Sequence, residues 1–355
     1  MIIQTNENLE HFCKLWTKKK ILFIDTEFDR RNTYYSKLSY VTIHDGSKFW
    51  IIDALSNIDI KILTKIITNK KILKVIHGSQ QDLEIFKNLE MDVYPLFDTQ
   101  IAGQFCGYEQ PISYANAVLK IFKINIDKNL QNSNWLKRPV TKKVIDYLKN
   151  DVRYLPGIYR HFNKILKINQ NLPFFNEEMK SLNSPNKIIS SSGIRKKMNN
   201  QTIHNKKFQN LLTLRDDIAR KKNLPKNWIF KDELISNIIK TKEYNNIKNN
   251  KNLTDLEKKV LIKNFQQIKI IKEKKNIVNE NIIRLINVIR SEISAKRSIS
   301  EQLISNKNDI KMYLENNTKK KSLWREKIFY KITDKLINNK ISISISISKN
   351  NLIIN

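Results

Sequence analysis

The first 165 residues alternate short apolar runs with polar turns. ILFIDTEF (21–28), SYVTIHD (39–45) and KFWIID (48–53) are rich in Ile, Val, Phe and Trp and read as three β-strands. The turn signal HDGSK (44–48) joins the last two into a hairpin. A helical stretch, DIKILTKIITN (59–69), precedes the apolar strand ILKVIHG (72–78). A helix then follows in QDLEIFKNL (81–89), and VYPLFDTQ (93–100) returns as another short strand. A hairpin followed by strand and helix alternation predicts an α/β domain with a mixed sheet flanked by helices.

Beyond residue 100 the pattern changes period. YANAVLKIF (114–122) and TKKVIDYLKNDVRYLPGIYRHFNKIL (141–166) have helical spacing, and no further strand is expected before the tail. Residues 169–205 carry NLPFFNEE, SPNKIISSSG and KKMNNQ, a polar Pro/Gly/Ser-bearing connector with room for one helix. FQNLLTLRDDIARKKNLPKNWIFKDELISNII (208–239) is helical on both sides of a Pro turn. A second helical unit is expected around IIRLINVIRSEISAKR (282–297) and LWREKIFYKITDKLI (323–337). KISISISISKN (340–350) alternates strictly, as an edge strand or a frayed end, and is given no function. The predicted layout is a domain over 1–168, a connector over 169–205, helical domains over 206–272 and 273–340, and a tail over 341–355.

Charge adds a partner class to this layout. The 355 residues hold 65 Lys+Arg and 34 Asp+Glu, for a net charge of +31. Such an excess attracts polyanions and makes their binding salt-dependent. The abundant Ile, Asn and Lys also fit an AT-rich coding sequence, so position matters more than the total. Residues 1–165 hold 25 basic and 17 acidic side chains, net +8, whereas residues 166–355 hold 40 and 17, net +23. The helical half is therefore the expected electrostatic grip, and the first half is where acids are retained. Cys13 and Cys106 offer no C-x-x-C and no zinc set. With no signal-peptide pattern at the start and no run as long as a membrane span, a cytoplasmic location is expected, with no membrane contact and no obligate protein partner.

Three acidic features are candidates for chemistry. Asp25 and Glu27 stand at i and i+2 of a predicted strand and so share one face of the sheet. Two desolvated carboxylates repel unless a cation lies between them, and a divalent ion is the simplest compensation. If the strand ended at Ile24, both would instead be solvated loop acids. Asp82, in HGSQQDLEIF, falls in the first turn of a helix, where acids are common. Tyr147 and Asp151, in YLKND, stand at i and i+4 of a helix, so a phenol and a carboxylate can address one site. His77 reads as a structural hydrogen-bonding residue outside the catalytic set.

The order DTEF, H-x-x-x-x-D in HGSQQD and Y-x-x-x-D in YLKND resembles the three exonuclease motifs of the DEDD superfamily, tyrosine branch, whose fold is RNase H-like. The likeness is closest to the ribonuclease D family. FDTQIA follows the second motif there too. IDKNLQNSNWLKRP matches a family pattern through Lys128, Trp135, Arg138 and Pro139, but has Asn134 where that family usually carries Asp. More weakly, FQNLLTLRDDIARKKNLPKNWIFKDELI resembles a helical HRDC domain with its R-x-x-x-A-R helix. RSISEQLISNKNDIKMYL and LWREKIFY resemble a degenerate second copy.

The resemblance implies a metal-dependent 3′–5′ exoribonuclease that releases 5′-mononucleotides and trims RNA 3′ ends, such as those of tRNA precursors. Two divalent ions, Mg²⁺ or Mn²⁺, would serve Asp25, Glu27 and Asp151, with Asp25 bridging and Asp82 near the second ion. Tyr147 would orient the attacking water. Phe28, Tyr34, Tyr35 and His77 are the candidate substrate contacts, the aromatic rings as stacking faces for bases. The same chemistry on DNA, or an inactive nuclease fold that only captures RNA, are the alternatives. A P-loop ATPase is excluded, because the sequence has no G-x-x-x-x-G-K-[ST].

Overall fold

A computed structural model of the chain describes residues 1–126, 130, 133–182, 206–268, 279–316, 322–346 and 351–354. Lys128, the connector beyond residue 182 and the middle of the tail lie outside the described residues. Contacts divide the chain into two compact units. One comprises Met1–Glu27, Leu38–Ser184 and Ile277–Asn355, and the other Phe28–Lys37 with Pro185–Asn276. The segment expected as a second helical domain thus packs in one unit with the β-sheet domain.

That first unit is built on a six-stranded sheet in the order β1-β4-β3-β2-β5-β6, with β1 Ile2–Ile3, β2 Ile21–Asp29, β3 Lys37–His44, β4 Phe49–Asp53, β5 Leu73–Ile76 and β6 Leu96–Asp98. β3 and β4 form the expected antiparallel hairpin, with Val41 opposite Ile52. β5 runs parallel to both β2 and β6. Leu22, Phe23 and Ile24 are all buried, as a strand covered on both faces requires.

The helices of this unit are α1 Asn6–Trp16, α2 Thr64–Ile67, α3 Gln80–Asn88, α4 Thr99–Gln104, α5 Tyr114–Phe122, α6 Lys142–Arg153, α7 Leu155–Ile168 and α8 Leu172–Leu182. Helix α1 and strand β1 were not anticipated from the acid-broken first residues. Thr5 caps α1 by accepting from Asn8 N, and Leu9, Cys13 and Trp16 form its buried stripe. β6 is shorter than its apolar run suggests, because the Asp98 carboxylate accepts from Gln100 N and Ile101 N and turns the chain into α4.

The C-terminal segment is fastened to this sheet domain by buried polar bonds. Glu178 on α8 accepts from Arg325 Nη1 at 2.8 Å and from Trp324 Nε1 at 3.1 Å. Asn171 Nδ2 donates to Phe105 O and Arg297 O, and Ser300 N to Gln104 O at 2.7 Å. The expected single helix over 323–337 is interrupted by a π turn at Glu326–Tyr330. There Thr333 Oγ1 donates back to Phe329 O and Tyr330 O. In the tail, β7 Ile343–Ser346 pairs antiparallel with β8 Asn351–Ile354 in a separate two-stranded sheet.

The second unit has a separate core of Phe208, Leu211, Ile218, Ile229, Ile235, Leu261 and Phe265 from helices on both sides of the Pro turn. Arg215, buried within it, donates to Phe230 O at 3.1 Å and Asp232 Oδ1 at 2.5 Å. Among the described residues no helix is long and apolar enough to cross a membrane.

Candidate active site

Two elements bring three of the acids together. Asp25 and Glu27 project from the same face of β2, and Asp151 comes from the last turn of α6. One carboxylate oxygen of each lies within 4.8 Å of the others. Helix α6 is held against β3 and β4 by a small cluster in which Tyr40, Ile51, Trp135 and Leu148 are buried and Tyr147 is packed. The Tyr147 ring lies 5.7 Å from that of Trp135. Tyr147 and Asp151 meet by a side-chain hydrogen bond, as their i, i+4 spacing allows.

Asp82 stands apart from this trio. It sits in the first turn of α3, and its Oδ1 accepts from Thr26 Oγ1 at 2.6 Å, which fixes it beside β2. Thr26 points to the opposite face from Asp25 and Glu27, so its hydroxyl was not among the anticipated residues. Asp98 was missed as well. Its carboxylate accepts from Gly78 N, Ser79 N, Ser79 Oγ, Gln100 N and Ile101 N, and so shapes the turn that delivers Asp82. Gly78 takes φ +70° in that turn, a conformation that a side chain disfavours.

The electrostatics are those of acids without a counter-charge. Burial, then the charges of Asp151, Glu27 and Asp82, drive the Asp25 carboxyl well above its ordinary range. Glu27 is pushed to about 9, first by burial and then by Asp151 and Asp82. Asp151 and Asp82 each rise to about 7 by burial, against the hydrogen bonds from Tyr147 and Thr26 respectively. The Tyr147 hydroxyl is itself raised by burial, then by Asp151, Glu27 and Asp25. Among these carboxylates the hydroxyl is held protonated and donates to Asp151. An all-oxygen donor set that repels itself fits a hard divalent cation, and Asp25, Glu27 and Asp151 are the residues that would hold it.

The other expected contacts are placed differently. Both ring nitrogens of His77 have partners, Nδ1 at 2.8 Å from Thr99 Oγ1 and Nε2 at 3.0 Å from Ile112 O. Tyr34 is buried in the core of the second unit, and its hydroxyl donates to Asp216 at 2.9 Å. Its packed ring is therefore not the open stacking face expected of it. Tyr35 is 38% exposed and edge-on to Tyr34, and Phe28 is partly buried.

Arg138 explains how the loop before α6 is held. Its guanidinium donates Nε to Asp53 Oδ2 at 2.9 Å and Nη2 to Asp53 Oδ1 at 2.6 Å, and Nη1 reaches Trp135 O at 2.8 Å. Arg138→Met is expected to cost about 3 kcal/mol, because it leaves Asp53 buried without a counter-charge, held only by Gln4 Nε2 and Leu55 N. Adding Asp53→Asn should recover part of that loss in urea melts. An equal loss in both variants would show that the ion pair does not govern the anchor. Asn134, the departure from the family pattern, accepts from Leu136 N at 3.2 Å within this loop.

Comparison with known proteins agrees with this geometry. The family described as 3′-5′ exonuclease matches residues 1–167, and the HRDC domain family matches residues 204–258. Ribonuclease D of Bartonella henselae is 28% identical over 386 residues, covering 99% of this chain and 93% of that protein. Ribonuclease D of a Shewanella species is 32% identical over 177 residues, covering 50% of this chain and 46% of the relative. The crystal structure of Escherichia coli RNase D, an exoribonuclease involved in structured RNA processing, superposes with a TM-score of 0.77 at 22% identity. That superposition covers 96% of this chain and 98% of the other. A Bifidobacterium adolescentis protein shares the fold at a TM-score of 0.66 and 15% identity, over 95% and 96% of the two chains.

Proposed function

The chain belongs to the ribonuclease D family, and we propose that this 3′–5′ exoribonuclease uses Asp25, Glu27, Asp82, Tyr147 and Asp151 to release 5′-mononucleotides from RNA 3′ ends, with tRNA precursors as substrates. The observation that carries the site assignment is the trio of mutually repelling carboxylates within 4.8 Å. A pair of divalent ions, Mg²⁺ or Mn²⁺, would supply positive charge to the scissile phosphate and acidify a bound water.

The chain's own residues do the positioning. Tyr147, protonated and bonded to Asp151, presents a hydroxyl able to orient the attacking water. Asp82 is held by Thr26, and its charge reaches both Asp25 and Glu27. The basic second half would hold RNA phosphates while an unpaired 3′ end enters the site. The free thiols of Cys13 and Cys106, pushed to about 12 by burial, are compatible with a cytoplasmic location.

The test is digestion of a 3′-extended tRNA labelled at its 5′ end, beside a single-stranded DNA of the same sequence, with Mg²⁺, Mn²⁺ or EDTA. The expected result is a ladder shortening from the 3′ end of the RNA, abolished by EDTA. Binding without shortening under either ion would sink the catalytic reading. Faster shortening of the DNA would replace the substrate.

A further inference from the structure

Near the start of β2, away from the acids, the first unit carries a second feature with a ligand-like character. A cleft of about 330 Å³ is lined by Lys19, Lys20, Phe23, Asp45, Tyr159 and Arg160, among others. Its charge is not balanced. Lys19 is neutralised by Asp45 at 2.8 Å. Burial opposes the ionised form of that Asp45 carboxyl, yet Lys19 and the backbone amides of Lys48 and Ser47 hold it at about 2. The pair is therefore neutral overall at any working pH. Lys20 and Arg160 are exposed, and no ion pair is recorded for either among the described residues. Two uncompensated cations thus flank one cleft.

The wall between them is aromatic. Tyr159 lies 6.2 Å from Phe23 and 4.8 Å from Phe97, both edge-on, which fixes the plane of its ring. No hydrogen-bond partner is recorded for its hydroxyl among the described residues. A rigid aromatic ring on the wall of a cleft that also holds two exposed cations sets an apolar surface beside a phosphate grip, the combination that takes up a nucleotide without reading its sequence.

We propose that this cleft binds one nucleotide unit, with Lys20 and Arg160 on its phosphate and Tyr159 against its base. The unit is either part of the RNA being shortened or a free 5′-mononucleotide, since both present the same chemistry. Four residues of strand separate Ile21 from Asp25, a span of about 13 Å. A strand held in the cleft would thus lie a few nucleotides from the reacting phosphate. The RNA alternative rests on the exoribonuclease reading, and the mononucleotide alternative does not.

The experiment compares the wild type with the double substitution Lys20→Ala, Arg160→Ala, both exposed and far from the acids. Three readings are taken: turnover of an A12 oligomer over a range of salt, turnover of the dinucleotide ApA, and calorimetric titration with 5′-AMP in EDTA. If the cleft holds the RNA strand, KM for A12 rises about tenfold and its log–log salt slope falls by roughly 0.7, the value for one phosphate no longer neutralised on a single strand. ApA turnover is then unchanged. If it holds a free nucleotide, the wild type binds 5′-AMP in EDTA and the variant does not, with A12 kinetics equal. Equal A12 kinetics together with equal or absent 5′-AMP binding in both proteins overturns the proposal. A wild type that cleaves neither A12 nor ApA defeats the exoribonuclease reading instead, and leaves the 5′-AMP titration to decide the cleft by itself.

Discussion

Replacing Asp25 by Asn is expected to reduce 3′ shortening by on the order of a thousandfold while raising the melting temperature of the metal-free protein. Loss of a group that only supports a metal ligand costs about 10–100-fold in metal affinity or activity. Asp25 stands among the acids themselves, so its loss should exceed that range. The gain in stability has the same origin. Its carboxyl feels burial and the charges of Asp151, Glu27 and Asp82, and an amide of nearly equal shape removes that repulsion. A rise of about 3–6 °C in EDTA, measured by differential scanning fluorimetry, would fit the usual conflict between a strained site and a stable fold. A variant that is inactive and also less stable in EDTA would show that Asp25 contributes to folding in some other way.

The metal-free protein should also lose stability as the pH rises. Glu27, Asp82 and Asp151 are all raised in the folded state, to about 9, 7 and 7. Between their ordinary values near 4 and these raised ones, the folded state binds more protons than the unfolded chain, so stability falls with increasing pH. The acids impose no penalty below about pH 4. The penalty grows through neutrality, and for Glu27 it is complete only above about pH 9. Excess Mg²⁺ or Mn²⁺ should remove most of this slope, because the native site is then deprotonated as well. Thermal melts from pH 5 to pH 9, with EDTA and with metal, would show diverging curves. Parallel curves would mean that the acids are already compensated without an ion.

The parts of the site that could be read from sequence are those set by local period. A strand repeats every two residues, so Asp25 and Glu27 had to share a face once ILFI was recognised as a strand. A helix repeats every 3.6, so Tyr147 and Asp151 had to be neighbours. The parts that could not be read depend on contacts between distant segments. Asp98 in FDTQ resembles an ordinary helix cap, and nothing local reveals that it also receives Gly78 N and Ser79 N. Tyr34 reads as a free aromatic beside the first motif, and nothing local shows that Asp216 and the Asn223 side chain, about 180 positions on, share its unit and hold it. Arg138 and Asp53 are 85 positions apart, and no periodicity links them. Helix α1 was legible in principle, from Thr5 as cap and Leu9, Cys13 and Trp16 on one stripe, but its charged residues obscured that pattern.

The bonds from Glu178 to Arg325 and Trp324 have a consequence for how the protein is made. The ribosome completes the sheet and its acids long before it reaches residue 325, and the chain emerges N-terminal end first. Until then Glu178 lacks the partners that it has in the finished unit, and Phe105 lacks the Trp324 ring that lies 5.1 Å away. The nascent nuclease is therefore an unfinished body, even though every acid of its site has already been synthesised.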